Sequence, residues 1–297
     1  MRQLLLSQRL KADGISFTFL RGQEMRTFQS SDGVTLSYAE EGAGAPIVFV
    51  HEFGGDHRSW HRQVPALSQN FRCIVYSARG FLPSSVPSRR DQYGQAQSTG
   101  DLVALMDHLE LLAAHVVGTS MGSFTSLDFA LNHPDRVLSL TLVGNSSGPR
   151  DEAERQHYRK TWIGHEIDLR EARGGEGAVA VLLDDPAYQS FQKNQSADWA
   201  IYADNLRGQS VKGAVHVLST LHWNRRSLFE DQERLKALTQ PVMLVTGDED
   251  YYLVAETNAF LKNILPNVTW HRFEATGHLV NIEQAEPFNR LLADFVG

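Results

Sequence analysis

The stretch that decides the fold reads His115-Val116-Val117-Gly118-Thr119-Ser120-Met121-Gly122, followed by a helix-prone run to Asn132. An apolar triplet runs into Gly-x-Ser-x-Gly, and helical spacing begins directly after it. That context predicts a serine on a sharp strand-to-helix turn. Such a turn strains the backbone at the serine, and small residues two before and two after it let the chain bend without a clash. It presents the hydroxyl outward. The N-terminus of the following helix aims backbone N–H groups and a positive dipole end at the same point.

Outward from this turn the same pattern recurs. Apolar runs at 46–50, 73–76, 138–143, 242–246 and 268–273 read as strands buried on both faces. Two further β-rich runs, 26–29 and 34–39, flank Asp32-Gly33, a hairpin signal. Helical spacing fills 99–111, 121–132, 254–265 and 283–295. Strand alternating with helix predicts an α/β fold, a mostly parallel sheet of about eight strands with helices on both faces. The alternation lapses over 146–237, which is polar and helix-prone and carries Trp162, Trp199, Tyr202 and Trp223. That segment reads as a helical cap inserted into a core made of residues 25–145 and 238–297. Residues 1–24 fit neither part and read as an N-terminal extension with a short helix at 4–11.

A serine hydroxyl is a weak nucleophile near neutral pH and needs a base, which is oriented in turn by a third group. The run at 242–246 ends in Gly247-Asp248-Glu249-Asp250, and the run at 268–273 leads into Glu274-Ala275-Thr276-Gly277-His278. Three loops at the carboxyl ends of strands in one parallel sheet can converge. Ser120 is therefore the expected nucleophile and His278 its base, with the acid among Asp248, Glu249 and Asp250.

These features together resemble the α/β-hydrolase family, over roughly Met25 to the C-terminus. The likeness is to its cap-bearing branch of esterases, lactonases and carbon–carbon bond hydrolases. It rests on the turn at Gly118–Gly122, on Gly247-x-x-Asp250, and on Gly277-His278 followed by Glu283 and Pro287-Phe288. Two further segments are similar: His51 to Trp60, like the family's oxyanion loop, and Ser77-Ala78-Arg79-Gly80. The resemblance implies Asp250 as the acid. It also implies that the backbone N–H groups of Phe53 and Met121 form the oxyanion hole. One departure stands out: the loop reads His51-Glu52 where the family usually has His-Gly. Glu52 either faces the pocket, where it would disfavour anionic substrates, or folds back on neighbouring backbone, and the second reading is favoured. A serine at 120 argues against epoxide hydrolase and dehalogenase chemistry, for which the resemblance would require aspartate. Leu279, where ring-fission relatives often carry tryptophan, lowers carbon–carbon cleavage. A small-molecule receptor on the same fold is a third possibility.

Other residues weigh less. His51, Asp56, His57 and His61 lack the spacing of a zinc signature, so neither metal nor cofactor is expected. His51 reads as a brace for the oxyanion loop, and His133 as part of a helix stop. In the cap, His222 and Trp223 are candidates for the pocket wall, while the pairs Arg89-Arg90 and Arg225-Arg226 read as solvated surface. Cys73 is the one cysteine of the 297 residues and reads as a core hydrophobe. A formal charge of −7 with 21% charged residues gives no basic surface for nucleic acid or acidic lipid. No apolar run approaches the ~20 residues of a membrane helix, and Leu4-Leu5-Leu6 is too short for a signal peptide. The expectation is a cytoplasmic enzyme acting on a small molecule: hydrolysis of a small carboxylic ester or lactone.

Overall fold

The computed structural model describes residues 24–297. The expected extension and its helix at 4–11 lie outside the described residues, Glu24 excepted. Eight strands form one sheet: β1 (Arg26–Gln29), β2 (Thr35–Glu41), β3 (Ala45–Val50), β4 (Phe71–Ser77), β5 (Ala114–Thr119), β6 (Val137–Val143), β7 (Val242–Gly247) and β8 (Val268–Phe273). Their order across the sheet is β1-β2-β4-β3-β5-β6-β7-β8. β2 runs antiparallel to both β1 and β4, and every pairing from β4 to β8 is parallel. The α/β reading holds, with the hairpin signal at Asp32-Gly33 joining β1 to β2.

Side chains alternate across a strand, and the central strands feed two cores. On β3, Val48 and Val50 enter one core, and Ile47 and Phe49 enter the other. The first is covered by helices Gln95–His108, Met121–Asn132 and Tyr252–Ile264 through Leu102, Leu127 and Leu261. The second is covered by Val64–Leu67 and Ala285–Val296, through Val64, Phe288 and Leu292. Cys73 sits in this second core, fully buried.

Two readings need correction. The run at 268–273 is not buried on both faces, because β8 is the sheet's edge strand and exposes Thr269 and Arg272. The last helix does not start at Glu283. That residue closes a separate turn, Val280–Glu283, and the helix begins at Ala285.

Between β6 and β7 the chain is helical, with Glu152–Tyr158, Gly164–Arg173, Gly175–Leu183, Gln189–Asn194, Ser196–Gly208 and Val211–Val217 as its main helices. It holds a third core, in which Val179, Phe191, Tyr202 and Leu206 pack against Leu279 and Ile282. Trp199 and Tyr202 belong to this packing. Polar ties fasten the cap as well. Buried Asp198 accepts from His61 Nε2 at 2.6 Å and from Arg62 Nη2 at 2.6 Å, and Asp56 accepts from Gln209 Nε2 at 2.6 Å. Among the described residues, no helix is long and apolar enough to cross a membrane, and no group of three His, Cys, Asp or Glu could hold a metal ion.

Candidate active site

Ser120 stands between the end of β5 and the helix that starts at Met121, with φ 53° and ψ −114°. Such a conformation costs a non-glycine residue about 1–3 kcal/mol. The turn is tight because both flanking glycines are crossed by backbone. A Cβ on Gly118 would lie 2.4 Å from the Gly122 carbonyl oxygen, and one on Gly122 would lie 2.0 Å from that of Val50. The Ser120 N–H donates to the Val143 carbonyl at 2.8 Å, tying the turn to β6.

His278 follows β8 and Asp250 follows β7, and the structure brings them together: Nδ1 lies 2.7 Å from Asp250 Oδ1. A carboxylate only accepts, so Nδ1 carries the proton and Nε2 is left as the basic nitrogen. Burial pushes the His278 pKa down, but the charge and hydrogen bond of Asp250 outweigh it and hold it above the ordinary 6.5. The competing acids, Asp248 and Glu249, are both exposed. Asp248 Oδ1 accepts from the Thr276 N–H at 3.3 Å, and Glu249 donates its N–H to the Thr276 carbonyl. The His278 ring rests on Gly144 (φ 57°), where a Cβ would lie 3.0 Å from its Cε1.

Sequence reasoning gave Glu283 no role. Its Oε2 accepts from the Gly277 N–H at 3.1 Å and the Ser190 hydroxyl at 2.8 Å, and Oε1 accepts from the Leu279 N–H at 3.3 Å. This buried carboxylate brackets the histidine on both sides. The signal was an acid closing the stretch Leu279-Val280-Asn281-Ile282, apolar but for Asn281.

Met121 opens its helix, so its N–H is one of the first four without an intrahelical acceptor. Phe53 lies on the loop after β3, and His51 braces that loop. Its Nε2 accepts from the Ala78 N–H at 2.9 Å, so Nδ1 donates to the Glu52 carbonyl at 2.7 Å. Burial pushes the His51 pKa down to about 4, leaving it neutral. Glu52 is not a pocket residue. It is 1% exposed and accepts from the Ser59 hydroxyl at 2.8 Å. A Cβ on Gly55 would lie 2.1 Å from its Oε1. Burial raises its pKa to about 7.

Ser120, His278 and Phe53 line one cavity of about 220 Å³, whose other wall comes from the cap, including Trp162, Leu206 and His222. The Phe53 ring stands edge-on to His222 at 5.1 Å, and the Arg170 guanidinium lies 4.9 Å from its centroid. Trp223 is not in the wall. It is 38% exposed, with the Arg159 guanidinium 4.8 Å from its ring. Adjacent residues on a helix point about 100° apart, so His222 facing inward turns Trp223 outward. A second correction concerns Arg225, which is buried and lines the cavity, while Arg226 is exposed and pairs with Asp231 at 2.8 Å. The buried pair Glu166–Arg170 also lines it and was not foreseen.

Comparison with known proteins agrees with this fold. A dihydrolipoyllysine-residue acetyltransferase component of an acetoin cleaving system from Cupriavidus necator is 28% identical over 275 residues, covering 91% of this chain and 68% of that protein. A 2-hydroxy-6-oxononadienedioate/2-hydroxy-6-oxononatrienedioate hydrolase from Pseudomonas putida is 26% identical, covering 88% of this chain and 91% of its own. The crystal structure of an enol-lactonase from Burkholderia xenovorans LB400 superposes with a TM-score of 0.78 at 23% identity, over 91% of this chain and 99% of that one. A thermophilic esterase from Thermogutta terrifontis superposes with a TM-score of 0.78 at 21% identity, over 91% and 97%. At such identities the superpositions speak for the fold. The sequence profile of the alpha/beta hydrolase fold matches residues 45–285, most of the chain, and the protein belongs to the alpha/beta hydrolase fold family.

Proposed function

We propose that the protein is a serine hydrolase cleaving a small carboxylic ester or lactone through an acyl-enzyme on Ser120. The observation that carries this reading is the 2.7 Å contact of His278 with Asp250, opening on the same cavity as the strained Ser120. Ser120 Oγ attacks the carbonyl carbon and passes its proton to His278 Nε2. Asp250 orients the imidazole and stabilises its cationic form. The N–H groups of Met121 and Phe53 receive the oxyanion, a contribution typically worth about 100- to 1000-fold in rate per donor. Collapse of the tetrahedral intermediate expels the alcohol, which takes the proton from His278. Water activated by the same nitrogen then releases the acid and restores Ser120. The likeness to the Pseudomonas putida hydrolase favours a second reading, cleavage of a carbon–carbon bond beside a ketone with the same triad.

The test is turnover of p-nitrophenyl esters of increasing acyl length by the protein and its Ser120→Ala variant, with a fluorophosphonate label in parallel. The expected outcome is labelling and turnover by the parent alone. A cavity of about 220 Å³ lies below the common range of ligand sites, so short acyl chains are expected to be preferred. The profile of kcat/KM should rise with pH through an inflection above 6.5, because His278 acts as a base only when deprotonated and its pKa is raised. Equal activity of the two proteins would overturn the assignment. Labelling without ester turnover would move the reading to carbon–carbon cleavage.

A further inference from the structure

The cavity holds a charge that none of these steps uses. Arg225 is 6% exposed and lines the cavity together with Ser120 and His278. Its guanidinium lies 4.7 Å from the Phe124 ring centroid, and its Nη1 donates to the Ser146 hydroxyl at 3.3 Å. Its Nε and Nη2 are buried and have no hydrogen-bond partner. Among the described residues, no carboxylate forms an ion pair with it. The second arginine of the cavity is unlike it, since Arg170 is held by Glu166 Oε1 at 2.6 Å.

The two unpartnered nitrogens form one edge of the guanidinium, the edge that clasps a carboxylate side-on. This molecule uses that edge elsewhere. Arg58 holds Asp56 through Nε at 3.0 Å and Nη2 at 2.6 Å. Arg62 holds Asp198 through the same two atoms at 3.0 and 2.6 Å, and Arg79 holds Asp101 at 2.7 and 2.6 Å. Arg225 carries the same fork in the cavity wall, with no carboxylate on it.

It is also fixed in place. Its carbonyl accepts from Arg155 Nη1 at 3.1 Å, and Leu228, three residues on, donates its N–H to the Ser147 hydroxyl at 2.8 Å. Gly148 passes so close that a Cβ there would lie 2.8 Å from the Arg225 carbonyl oxygen. Burying a cation with neither counter-charge nor a full set of acceptors is costly. Burial accordingly holds the Arg225 pKa below its ordinary value, yet a guanidinium stays protonated in proteins. Beside it, His222 Nε2 is likewise buried without a partner.

We propose that Arg225 and Ser146 form a carboxylate-binding subsite, so that the substrate carries an ionised carboxylate in addition to the bond being cleaved. This rests on the hydrolase reading of the same cavity. A planar monoanion fits the two-pronged edge, and the one arginine without a carboxylate partner in this cavity matches one negative charge.

The test compares 4-nitrophenyl half-esters of glutarate, adipate and pimelate with uncharged acyl esters of the same chain length, after subtraction of spontaneous hydrolysis. A charge-assisted pair of this kind predicts kcat/KM about 10- to 100-fold higher for the half-ester of fitting length. Arg225→Met should collapse that ratio and Arg225→Lys should retain part of it. The exposed neighbour control, Arg226→Met, should leave it unchanged. A ratio of one or less at every length in the parent, or a ratio that survives Arg225→Met, overturns the subsite while leaving the hydrolase reading intact. A separate arm measures binding of monomethyl and dimethyl glutarate and adipate to the Ser120→Ala protein. Tighter binding of the half-ester supports the subsite even where no ester is turned over, in which case the hydrolase reading alone has failed. Equal binding of both forms counts against the subsite.

Discussion

Glu52 stands where relatives of this fold usually carry glycine, and its carboxylate turns away from the cavity onto the Ser59 hydroxyl. Its Oε2 has no hydrogen-bond partner. Folding moves its pKa from the ordinary 4.5 to about 7, with burial as the largest cause. The sign follows directly. The unfolded chain releases this proton near pH 4.5 and the folded chain near 7, so the group stabilises the fold below 4.5. Stability then falls as pH rises to about 7 and stays lower above it. A difference of that size is worth at most about 3 kcal/mol. Glu52→Gln should therefore raise the melting temperature more at pH 8 than at pH 5, and an equal gain at both would contradict the assignment. The same residue shows what was legible. The His51-Glu52 departure was visible, but the favoured reading put the carboxylate on neighbouring backbone, and the structure puts it on a side-chain hydroxyl. Its Ser59 partner was not visible, because that contact is made by the loop's own fold. Arg225 failed differently. Beside Arg226 it looked like a solvated charge pair, and only the meeting of the Ser146–Gly148 loop with the end of the cap buries one arginine and not the other.

At the level of elements, the strands at the centre of the sheet were the most legible part of the fold. Their apolar runs are continuous because both faces are covered. β8 was legible as a strand but not as an edge, since edge position is fixed by topology rather than composition. The boundary near Glu283 was misread because helical spacing continues through the short turn Val280–Glu283, and what interrupts it is a side-chain role. Glu283 holds the backbone on both sides of His278, which makes it a positioning residue. Glu283→Ala should lower kcat about 10- to 100-fold, a cost typical of small misplacement of a reacting group, with KM much less affected. Glu283→Gln keeps an acceptor and should recover part of the loss. A change in KM alone, with kcat intact, would assign Glu283 to the pocket wall instead.

Across the whole molecule, two halves of a site are supplied by parts whose cores interlock: Leu279 and Ile282 enter the cap's core, and Val217 and Leu221 enter the sheet's. The sheet and its loops present Ser120, Asp250 and His278, and the cap closes the cavity above them. The proposed triad was legible as a set of candidates because each member lies just beyond a strand end, where short-range pattern and position coincide. The cavity wall was not, because it is assembled from turns of helices far apart in sequence. Asp198 fastens the two halves through His61 and Arg62, and it is 1% exposed. Removing one partner of such a buried cluster typically costs about 3–5 kcal/mol, so Asp198→Ala should show a correspondingly lower midpoint in urea unfolding. An unchanged midpoint would mean that the apolar packing of Leu279 and Ile282 against the cap suffices.

The entry and exit of the cap lie side by side, where Ser147 and Gly148 meet the segment from Arg225 to Leu228. To the sheet, the whole insertion is therefore one long loop with its ends already joined, and the entropy of closing such a loop grows only slowly with its length. Changes of length in the exposed turns between those two points should therefore leave the strand order and the serine turn in place, provided the ties through Asp198 and Gln209 are kept. Within the cap, the seam itself is the part with least room to change, since a single Cβ on Gly148 would meet the backbone of Arg226.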